Sequence, residues 1–390
     1  MLSIMLENKK ILILDHAIFV NEIPIHGPGL NIYNTFKTMS PESIEYFAHC
    51  LDGINKSYSC KYCFEKEEIQ KAGLPLKFIA APFSFVYCIC YSFLKFLFAS
   101  HDICIAVNPL NFLSCYMLKC FGRVKKTVFY TADYSENRFS NKILNNIYKS
   151  CDRFSVKYAD SVWNVSKTIC DTRKTQGVSD SKNCHIPNSP VLSHFEKYLE
   201  SEHSKYQIVY VFGTISKSSD LFANHQFDLL METIDYLVEK EDKIQLLLIG
   251  RGNFEKYFQS IMTEKLLKHI RFCDIEDRKV YIKTLCASSI GVAFYNLSGA
   301  AHLKFGDSMK IREYFAAGLP AITTPGHSLA YEIKEHQLGF VVETLDDCKM
   351  AFEKLLFDEN LYSAIQQRVK KYAIETDKVK TILPALEKLD

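Results

Sequence analysis

Short apolar runs alternate along the chain with longer segments in which apolar residues recur every three or four positions. The short runs predict buried strands of a parallel sheet, and the longer segments predict helices. The predicted strands of the first half are 11–15, 44–50, 102–107, 126–130 and 161–165. Those of the second half are 208–212, 244–249, 270–272, 289–294, 321–324 and 339–342. Each half therefore follows an α/β plan.

Helices are predicted between these strands, and a polar stretch separates the two halves. The predicted helices are 30–39, 80–98, 111–121, 142–158, 227–239, 254–267, 280–287, 310–317, 346–357 and 360–372. Few sheet formers occur between Ile186 and Lys205, as in an interdomain linker. We expect domains at 1–195 and 205–372, and a terminal helix within 373–390 that could pack back on the first domain.

Length and composition narrow the class of protein. With 390 residues the chain is long enough for two cores, and a net charge of +2 provides no general attraction to nucleic acid. Fourteen cysteines without an apolar leader at residues 1–10 predict a cytoplasmic, reducing environment. Cys60 and Cys63 form a single CxxC pair, and a closed zinc site needs two further ligands. No metal is predicted.

Two segments raise the question of membrane contact. Residues 80–98 are nearly all apolar, but Pro82, Lys95 and the strand that follows favour a buried core helix over a membrane span. Helix 142–158 is amphipathic and rich in Lys and Arg. It could touch the inner face of a membrane peripherally, or it could simply carry a solvated charged face.

The segment from Gly306 to Pro320 carries the most chemistry. It predicts a loop, an N-cap at Asp307 or Ser308, and a helix that ends at Gly318. Lys310 lies in the first helical turn, where a cation opposes the macrodipole. It is either a solvated lysine or half of a diphosphate site completed by free backbone N–H groups. Glu313 shares its face and could accept hydrogen bonds from sugar hydroxyls.

The pattern Ser-x-Lys-Ile-x-Glu-Tyr-x-Ala-x-Gly-Leu-Pro over residues 308–320 resembles the donor-binding element of GT-B glycosyltransferases of the broad group 1, family-four-like type. The resemblance implies two facing Rossmann-like domains with parallel sheets and a deep interdomain cleft. It also implies that Lys310 and the amides of Ser308, Met309 and Ile311 face the donor diphosphate. Glu313 would then bind the ribose.

Further motifs extend the resemblance over roughly residues 125–345, with one departure. They include Ala159-Asp-Ser-Val-Trp163, Pro187-Asn188, Phe212-Gly213 and Leu338-Gly-Phe-Val-Val342. Many members carry Glu-x7-Glu, whereas Phe305 stands eight residues before Glu313. The residues that would contact the donor sugar are therefore undecided. It is also undecided whether the anomeric configuration is retained or inverted.

Other donor-binding candidates follow predicted strands of the second domain. Gly213, Gly250 and Arg251 lie at the carboxyl ends of strands, where open α/β sheets bind ligands. The resemblance implies a basic residue against the phosphates near Lys217, although an exposed loop lysine is the alternative. Gly250-x-Gly252 lacks the third glycine of a dinucleotide fingerprint, which argues against a dehydrogenase.

The first domain contributes candidates from its strand ends. His26 is a candidate catalytic residue and Gly27 and Gly29 are candidate donor contacts, although a solvated histidine is the commoner case.

Asp133 is the best candidate for the acceptor base; alternatively, it is a turn or capping aspartate. His16 and Arg138 are candidate acceptor contacts, and Arg138 could also pair with Asp133.

These observations predict a metal-independent glycosyltransferase with a nucleotide-diphosphate sugar as donor substrate and no other cofactor. Its acceptor would be a glycan or a lipid-linked glycan, as in surface polysaccharide or glycoconjugate synthesis. No Asp-x-Asp pair is present to hold a divalent ion. The alternatives are a catalytically inactive binding or scaffold protein, which the absent glutamate keeps open, and a nucleotide-sugar epimerase of the same fold.

Overall fold

The computed structural model describes residues 6–51, 53–75, 77, 81–200, 203–214, 226–251, 255, 258–259, 262–273, 277–297 and 301–389. Its contacts divide the chain into two compact units. The first unit is Met1–Pro187 with Lys378–Asp390, and the second is Asn188–Asp377. Each unit is an α/β domain with its own sheet.

The sheet of the first unit is parallel at its centre and antiparallel at one edge. Its strands are β1 (Lys10–Val20), β2 (Ile23–His26), β3 (Ser43–Cys50), β4 (Ser57–Cys63), β5 (Lys66–Ala72), β6 (His101–Val107), β7 (Val124–Thr131), β8 (Ser161–Asn164) and β9 (Asn183–His185). They lie in the order β5-β4-β3-β1-β6-β7-β8-β9, and β2 pairs with β1. The pairs β3–β4 and β4–β5 are antiparallel. The sequence pattern predicted neither β4 nor β5.

Three helices cover one face of this sheet. The helices of the first unit up to residue 175 are α1 (Pro28–Lys37), α2 (Ala81–Phe96), α3 (Pro109–Cys120), α4 (Lys142–Tyr158) and α5 (Lys167–Thr175). Phe96 of α2, Phe112 of α3 and Val156 of α4 share one buried cluster with Phe129 of the sheet. The Asn141 side chain accepts hydrogen bonds from the amides of two residues in the first turn of α4, which sets its start.

The second unit is built on a parallel sheet ordered β12-β11-β10-β13-β14-β15. Its strands are β10 (Gln207–Thr214), β11 (Gln245–Arg251), β12 (Ile270–Cys273), β13 (Ile290–Ala293), β14 (Ala321–Thr323) and β15 (Gly339–Val341). Its helices are α6 (Ser193–Glu196), α7 (Phe227–Lys240), α8 (Glu264–Leu267), α9 (Arg278–Cys286), α10 (Met309–Ala316), α11 (Ser328–His336), α12 (Leu345–Phe357) and α13 (Glu359–Glu375).

A buried ion cluster joins distant parts of the second unit. Arg312 of α10 bonds through Nε to Asp307 Oδ1 at 3.0 Å and through Nη2 to Glu332 Oε2 at 3.0 Å. Tyr372 of α13 contacts both Arg312 and Glu332. Asp307 also accepts a 2.6 Å hydrogen bond from the amide of Asn188. Burial raises the pKa of Asp307 to about 6, and the Arg312 charge opposes that rise.

The chain returns to the first unit at its end, in α14 (Lys378–Glu387). The Lys378 amine donates to the carbonyl of Pro187, and the Lys126 amine donates to the carbonyl of Leu389. The contacts thus place the boundary between the two units at Pro187, whereas the sequence pattern predicted it at residue 195.

The apolar stretch at 80–98 forms α2, as expected, but the expectation of burial holds for one face only. Cys88, Phe93 and Phe96 are buried, whereas Phe83 and Leu94 are exposed. Within the described residues, no helix has both the length and the hydropathy needed to cross a membrane.

We predict that Arg312→Met destabilises the protein by about 3–5 kcal/mol, because it leaves two buried carboxylates without their cation. The exposed pair Lys371–Glu375 provides a control, since Lys371→Met should change stability by less than about 0.5 kcal/mol. Urea unfolding at pH 7 measures both variants. Equal stabilities would show that Arg312 does not hold the cluster together.

Candidate functional site

Helix α10 begins beside the carboxyl ends of β10 and β13. The Tyr314 hydroxyl accepts from the Val211 amide at 2.9 Å and donates to the Val292 carbonyl at 3.0 Å, which ties α10 to both strands. Gly291 makes this approach possible, because a Cβ there would lie 2.4 Å from the Tyr314 ring. The N-terminus of α10 is thereby fixed at the edge of the sheet where α/β proteins bind ligands.

The N-cap residue of α10 makes no side-chain hydrogen bond to the first turn of the helix. Ser308 occupies the N-cap position without a side-chain cap, and its hydroxyl is instead 2.6 Å from the hydroxyl of Tyr295. Met309 and Lys310 are partly buried, whereas the Ile311 side chain lies in the core. Of Ile311, therefore, only the backbone could reach a ligand. Uncapped N–H groups at a helix start are suited to an anion.

Lys310 is enclosed without a carboxylate partner. Its amine lies 5.2 Å from the ring centre of Tyr295 and 5.9 Å from that of Tyr210. Among the residues that the structure describes, none supplies an anion to this amine, and burial lowers its pKa from 10.5 to about 8. A partly desolvated cation at the positive end of a helix is unfavourable, so it raises the free energy of the empty site. A bound anion would lower that free energy.

Glu313 faces α9 and is already held by two side chains there. Tyr281 donates to its Oε2 at 2.6 Å, and Arg278 reaches its Oε1 at 2.5 Å. Only 9% of the Glu313 side chain is exposed, whereas half of the Arg278 side chain is. A carboxylate has about four acceptor positions, so two hydroxyls could still bind. The sequence pattern had not singled out Tyr281 or Arg278, since both lie over 30 residues from Glu313.

The structure describes two of the four remaining donor-binding candidates, Gly213 and Gly250. Gly213 lies in β10, and Gly250 lies near the end of the neighbouring β11. A Cβ on Gly250 would lie 2.1 Å from the Phe212 ring, so this glycine makes room for core packing. Lys217 and the side chain of Arg251 lie outside the described residues. Donor contact by these four residues stays a prediction.

In the first unit, the glycines before and inside α1 surround a buried aspartate. Asp15 accepts hydrogen bonds from the amides of Gly29 and Leu30 and, at 3.1 Å, from the hydroxyl of Tyr46. A Cβ on Gly29 would lie 2.4 Å from Asp15, and one on Gly27 would lie 3.2 Å from it. A side chain at either glycine would therefore crowd Asp15, which explains the glycines by packing alone. Their contact with a donor stays a prediction.

The backbone N–H groups at the start of α1 are therefore hydrogen-bonded to the Asp15 carboxyl group of the protein itself. Burial raises the pKa of Asp15 to about 7, while its hydrogen bonds oppose the rise.

His16 lies at the edge of a buried polar cluster. Its Nδ1 accepts from Asn111 at 2.9 Å, and its ring centre is 5.3 Å from that of His49. Burial, aided by the charge of Arg138, lowers the pKa of His16 to about 4, so the imidazole is neutral near pH 7. His49 lies between the hydroxyls of Ser57 and Ser92, and burial lowers its pKa to about 3. The side chain of His26 lies outside the described residues.

Asp133 and Arg138 form the pair that the sequence suggested. Arg138 Nη1 lies 2.8 Å from Asp133 Oδ2, and the centre of the guanidinium lies 5.2 Å from that of the Tyr148 ring. Asp133 is half exposed, so water or a substrate hydroxyl can reach it. Among the described residues, no group of three or more metal-ligating side chains is placed to hold a metal ion.

Residues 263–382 match a family model described as "Glucosyltransferase 3-like, C-terminal domain". This range contains α10 with Lys310 and Glu313 and amounts to just under a third of the chain. No curated protein sequence matches the chain.

Solved structures match the whole chain at low identity. The α,α-trehalose 6-phosphate synthase of Burkholderia multivorans is 10% identical with a TM-score of 0.66, and the match covers 98% of this chain and 96% of that one. Anabaena HepE in complex with UDP-glucose is 13% identical with a TM-score of 0.58, over 98% and 99%.

A TarM variant of S. aureus in complex with Fondaparinux, alpha-GlcNAc-glycerol and UDP is 12% identical with a TM-score of 0.53, over 85% and 64%. The chain thus spans a little under two thirds of the TarM length. These likenesses show that the fold is GT-B. Together with the family match, they support a glycosyltransferase.

We predict that Lys310→Met has opposite effects on stability and on anion binding. At pH 7 the variant should gain about 2 kcal/mol in unfolding free energy, because a partly buried charge without a carboxylate partner among the described residues is removed. Since the pKa of Lys310 lies below its unfolded value, the wild type should gain stability as pH rises from 8 to 10.5, and the variant should not.

The same substitution should lower UDP affinity at least tenfold at pH 7, as measured by calorimetry, and wild-type affinity should fall as pH rises through 8. The exposed Lys304 provides the control, since Lys304→Met should leave both properties nearly unchanged. Equal UDP affinities of wild type and Lys310→Met would remove Lys310 from the donor site.

Proposed function

We propose that the protein is a metal-independent glycosyltransferase that moves a hexose or related sugar from a nucleotide diphosphate to a glycan or lipid-linked acceptor. The observation that supports the proposal most directly is the position of Lys310. Among the residues that the structure describes, this lysine has no carboxylate partner, and it lies at the start of α10, inside the segment that matches the glucosyltransferase 3-like domain. Surface polysaccharide or glycoconjugate synthesis is the setting that this acceptor class suggests.

Lys310 and the α10 amides would act on the leaving group. When the bond between sugar and phosphate breaks, negative charge increases on the diphosphate. A fixed cation and fixed N–H groups stabilise that charge without reorganising, and more strongly in a site shielded from water. In this proposal they take the part that a divalent ion plays in other transferases.

Glu313 would orient the nucleoside. Tyr281 and Arg278 fix its carboxylate in one position, so its remaining acceptor positions point in set directions. Uridine nucleotides are the first donors to test, because solved structures of the same fold contain UDP-glucose or UDP.

On the acceptor side, Asp133 would take the proton of the attacking hydroxyl, with Arg138 holding its carboxylate in place. His16, neutral near pH 7, could accept a hydrogen bond from a sugar hydroxyl. His26 stays a candidate catalytic residue on sequence grounds alone.

A thermal-shift screen of nucleotide sugars, followed by a transfer assay with the stabilising donor, tests the proposal. A donor that binds only the folded protein raises its melting temperature. Binding without transfer or donor hydrolysis would favour an inactive binding protein, and formation of an epimeric sugar nucleotide would favour an epimerase. If no nucleotide sugar shifts the melting temperature, the proposal is wrong.

Glu313→Ala should weaken UDP binding by tenfold or more, because it removes the acceptor for two ribose hydroxyls and leaves Tyr281 without its partner. Glu375→Ala, at an exposed position of α13, is the matched control and should bind UDP like the wild type. Calorimetry measures both. Unchanged affinity of the Glu313 variant would overturn its assignment to the ribose.

Asp133→Asn should lower kcat at least 100-fold while donor affinity stays within twofold, because the amide cannot take a proton. Asp180 provides a control, since it is exposed in the same unit and also pairs with a cation, Lys174. Asp180→Asn should transfer at the wild-type rate. Full activity of Asp133→Asn would remove Asp133 from catalysis.

A further inference from the structure

The antiparallel edge of the first sheet carries polar and charged side chains in two rows on one face. Strand register places Glu45 of β3 opposite Lys61 of β4, and Lys61 opposite Glu68 of β5. In the adjacent row, Ser59 lies opposite Gln70. Since side chains two residues apart on a strand point to the same face, both rows share one surface.

The end of α2 turns this surface into a pocket. Lys95 and Phe96 of α2, with Ala99 just beyond the helix, complete a cavity of about 160 Å³ over the two rows. Such a volume holds roughly five water molecules. The pocket therefore suits a small molecule and is far too small for a sugar nucleotide.

The pocket lies near the amino ends of the parallel strands. Glu45 is close to the start of β3, and its neighbour His101 is the first residue of β6. The candidate acceptor residues lie elsewhere, because His16 pairs in register with His49 near the end of β3 and Asp133 follows β7. Substrates of α/β proteins bind at the carboxyl ends of the strands, so this pocket is separate from the candidate active site.

The carboxylate of Glu45 is already paired within the protein. Lys61 Nζ lies 3.1 Å from its Oε1, and His101 Nε2 lies 3.5 Å from its Oε2. Burial would raise the pKa of Glu45, but the contacts with His101 and Lys61 outweigh burial and lower that pKa to about 2. Glu45 therefore stays ionised near pH 7 and holds Lys61 in place on the pocket wall.

Within the described residues, two other charged groups of the pocket lack such a partner. The Lys95 amine lies 5.7 Å from the ring centre of Phe47 and 5.6 Å from that of Phe96, but no carboxylate of the described chain pairs with it. Glu68 is exposed on β5 and makes no ion pair with any described side chain. Aromatic faces attract an amine only weakly, so an anionic group of a ligand would find a place at Lys95.

The mixture of charges decides which class of ligand fits. A phosphate or a simple carboxylate would meet Lys95 but would also face Glu45 and Glu68. A simple cation would meet Glu68 but would face Lys61 and Lys95. Like charges at short range raise the free energy, whereas a ligand with one charge of each sign finds an opposite partner for both.

We propose that this pocket binds a small zwitterion of the α-amino acid class. The ligand carboxylate pairs with Lys95, and its ammonium group pairs with Glu68. Ser59 and Gln70 offer hydrogen bonds to a short polar side chain of the ligand. The binding needs no nucleotide and does not depend on the proposed transferase activity.

Thermal-shift measurements on the full chain with the common L-amino acids test the proposal. At least one with a short polar side chain, such as L-serine, should raise the melting temperature in a saturable manner. Acetate and methylammonium each carry only one of the two charges, so calorimetry should show about tenfold weaker binding or less. If no amino acid shifts the melting temperature, the proposal is wrong. Binding of acetate or inorganic phosphate without binding of any amino acid would show that the site takes a simple anion instead.

Substitutions in the pocket locate the site. Lys95→Met and Glu68→Gln should each weaken binding of the active amino acid about tenfold, because each removes one charged partner. Lys142→Met and Glu136→Gln are the matched controls, at exposed positions of the first unit outside the pocket, and should bind like the wild type. Circular dichroism checks that each variant is folded. Equal affinities of the pocket variants and the controls would remove the ligand from this pocket.

Discussion

The Arg312 cluster is the interaction on which the candidate donor site depends. A guanidinium in a core is tolerated only where carboxylates neutralise it and its N–H groups have acceptors. Asp307 and Glu332 provide both, and Asp307 also binds the Asn188 amide. Because these residues come from three separate stretches of the chain, the loop before α10 has one favourable path. That path decides where α10 starts, and hence where Lys310 lies.

The helix starts of α1 and α10 have different side chains beside them. In the first unit, Asp15 lies at the beginning of α1 and accepts from its amides. In the second, the corresponding position of α10 has no side-chain cap and has a lysine beside it. A helix N-terminus is stabilised by a negative charge. The first unit supplies a carboxyl group from its own chain, with a pKa raised to about 7, whereas we expect a ligand to supply the negative charge in the second.

Local patterns predicted the helices and parallel strands that build the site, because buried strands are apolar and surface helices are periodic. The same rule missed β4 and β5. β5 is an exposed edge strand and β4 lies between it and β3. The sequences of β4 and β5, SYSCKYC and KEEIQKA, are polar enough to resemble a loop.

The sequence placed Lys310 and Glu313 on one helix because both lie within one segment, and their contact with a donor stays a prediction. The contacts of Glu313 with Tyr281 and of Asp15 with Gly29 join separate elements, so no sequence spacing reports them. Likewise, the apolar run at 80–98 predicted a helix correctly but not that one of its faces is exposed. That face depends on which elements pack against α2.

The return of α14 to the first unit has a consequence for the order in which the protein forms. A ribosome synthesises residues 1–187 first, but the helix that completes this unit comes only after the whole second unit. Until then Lys126 lacks its partner at Leu389, and the surface of α1 that meets α14 is uncovered. The first unit to be synthesised is therefore the last to be completed.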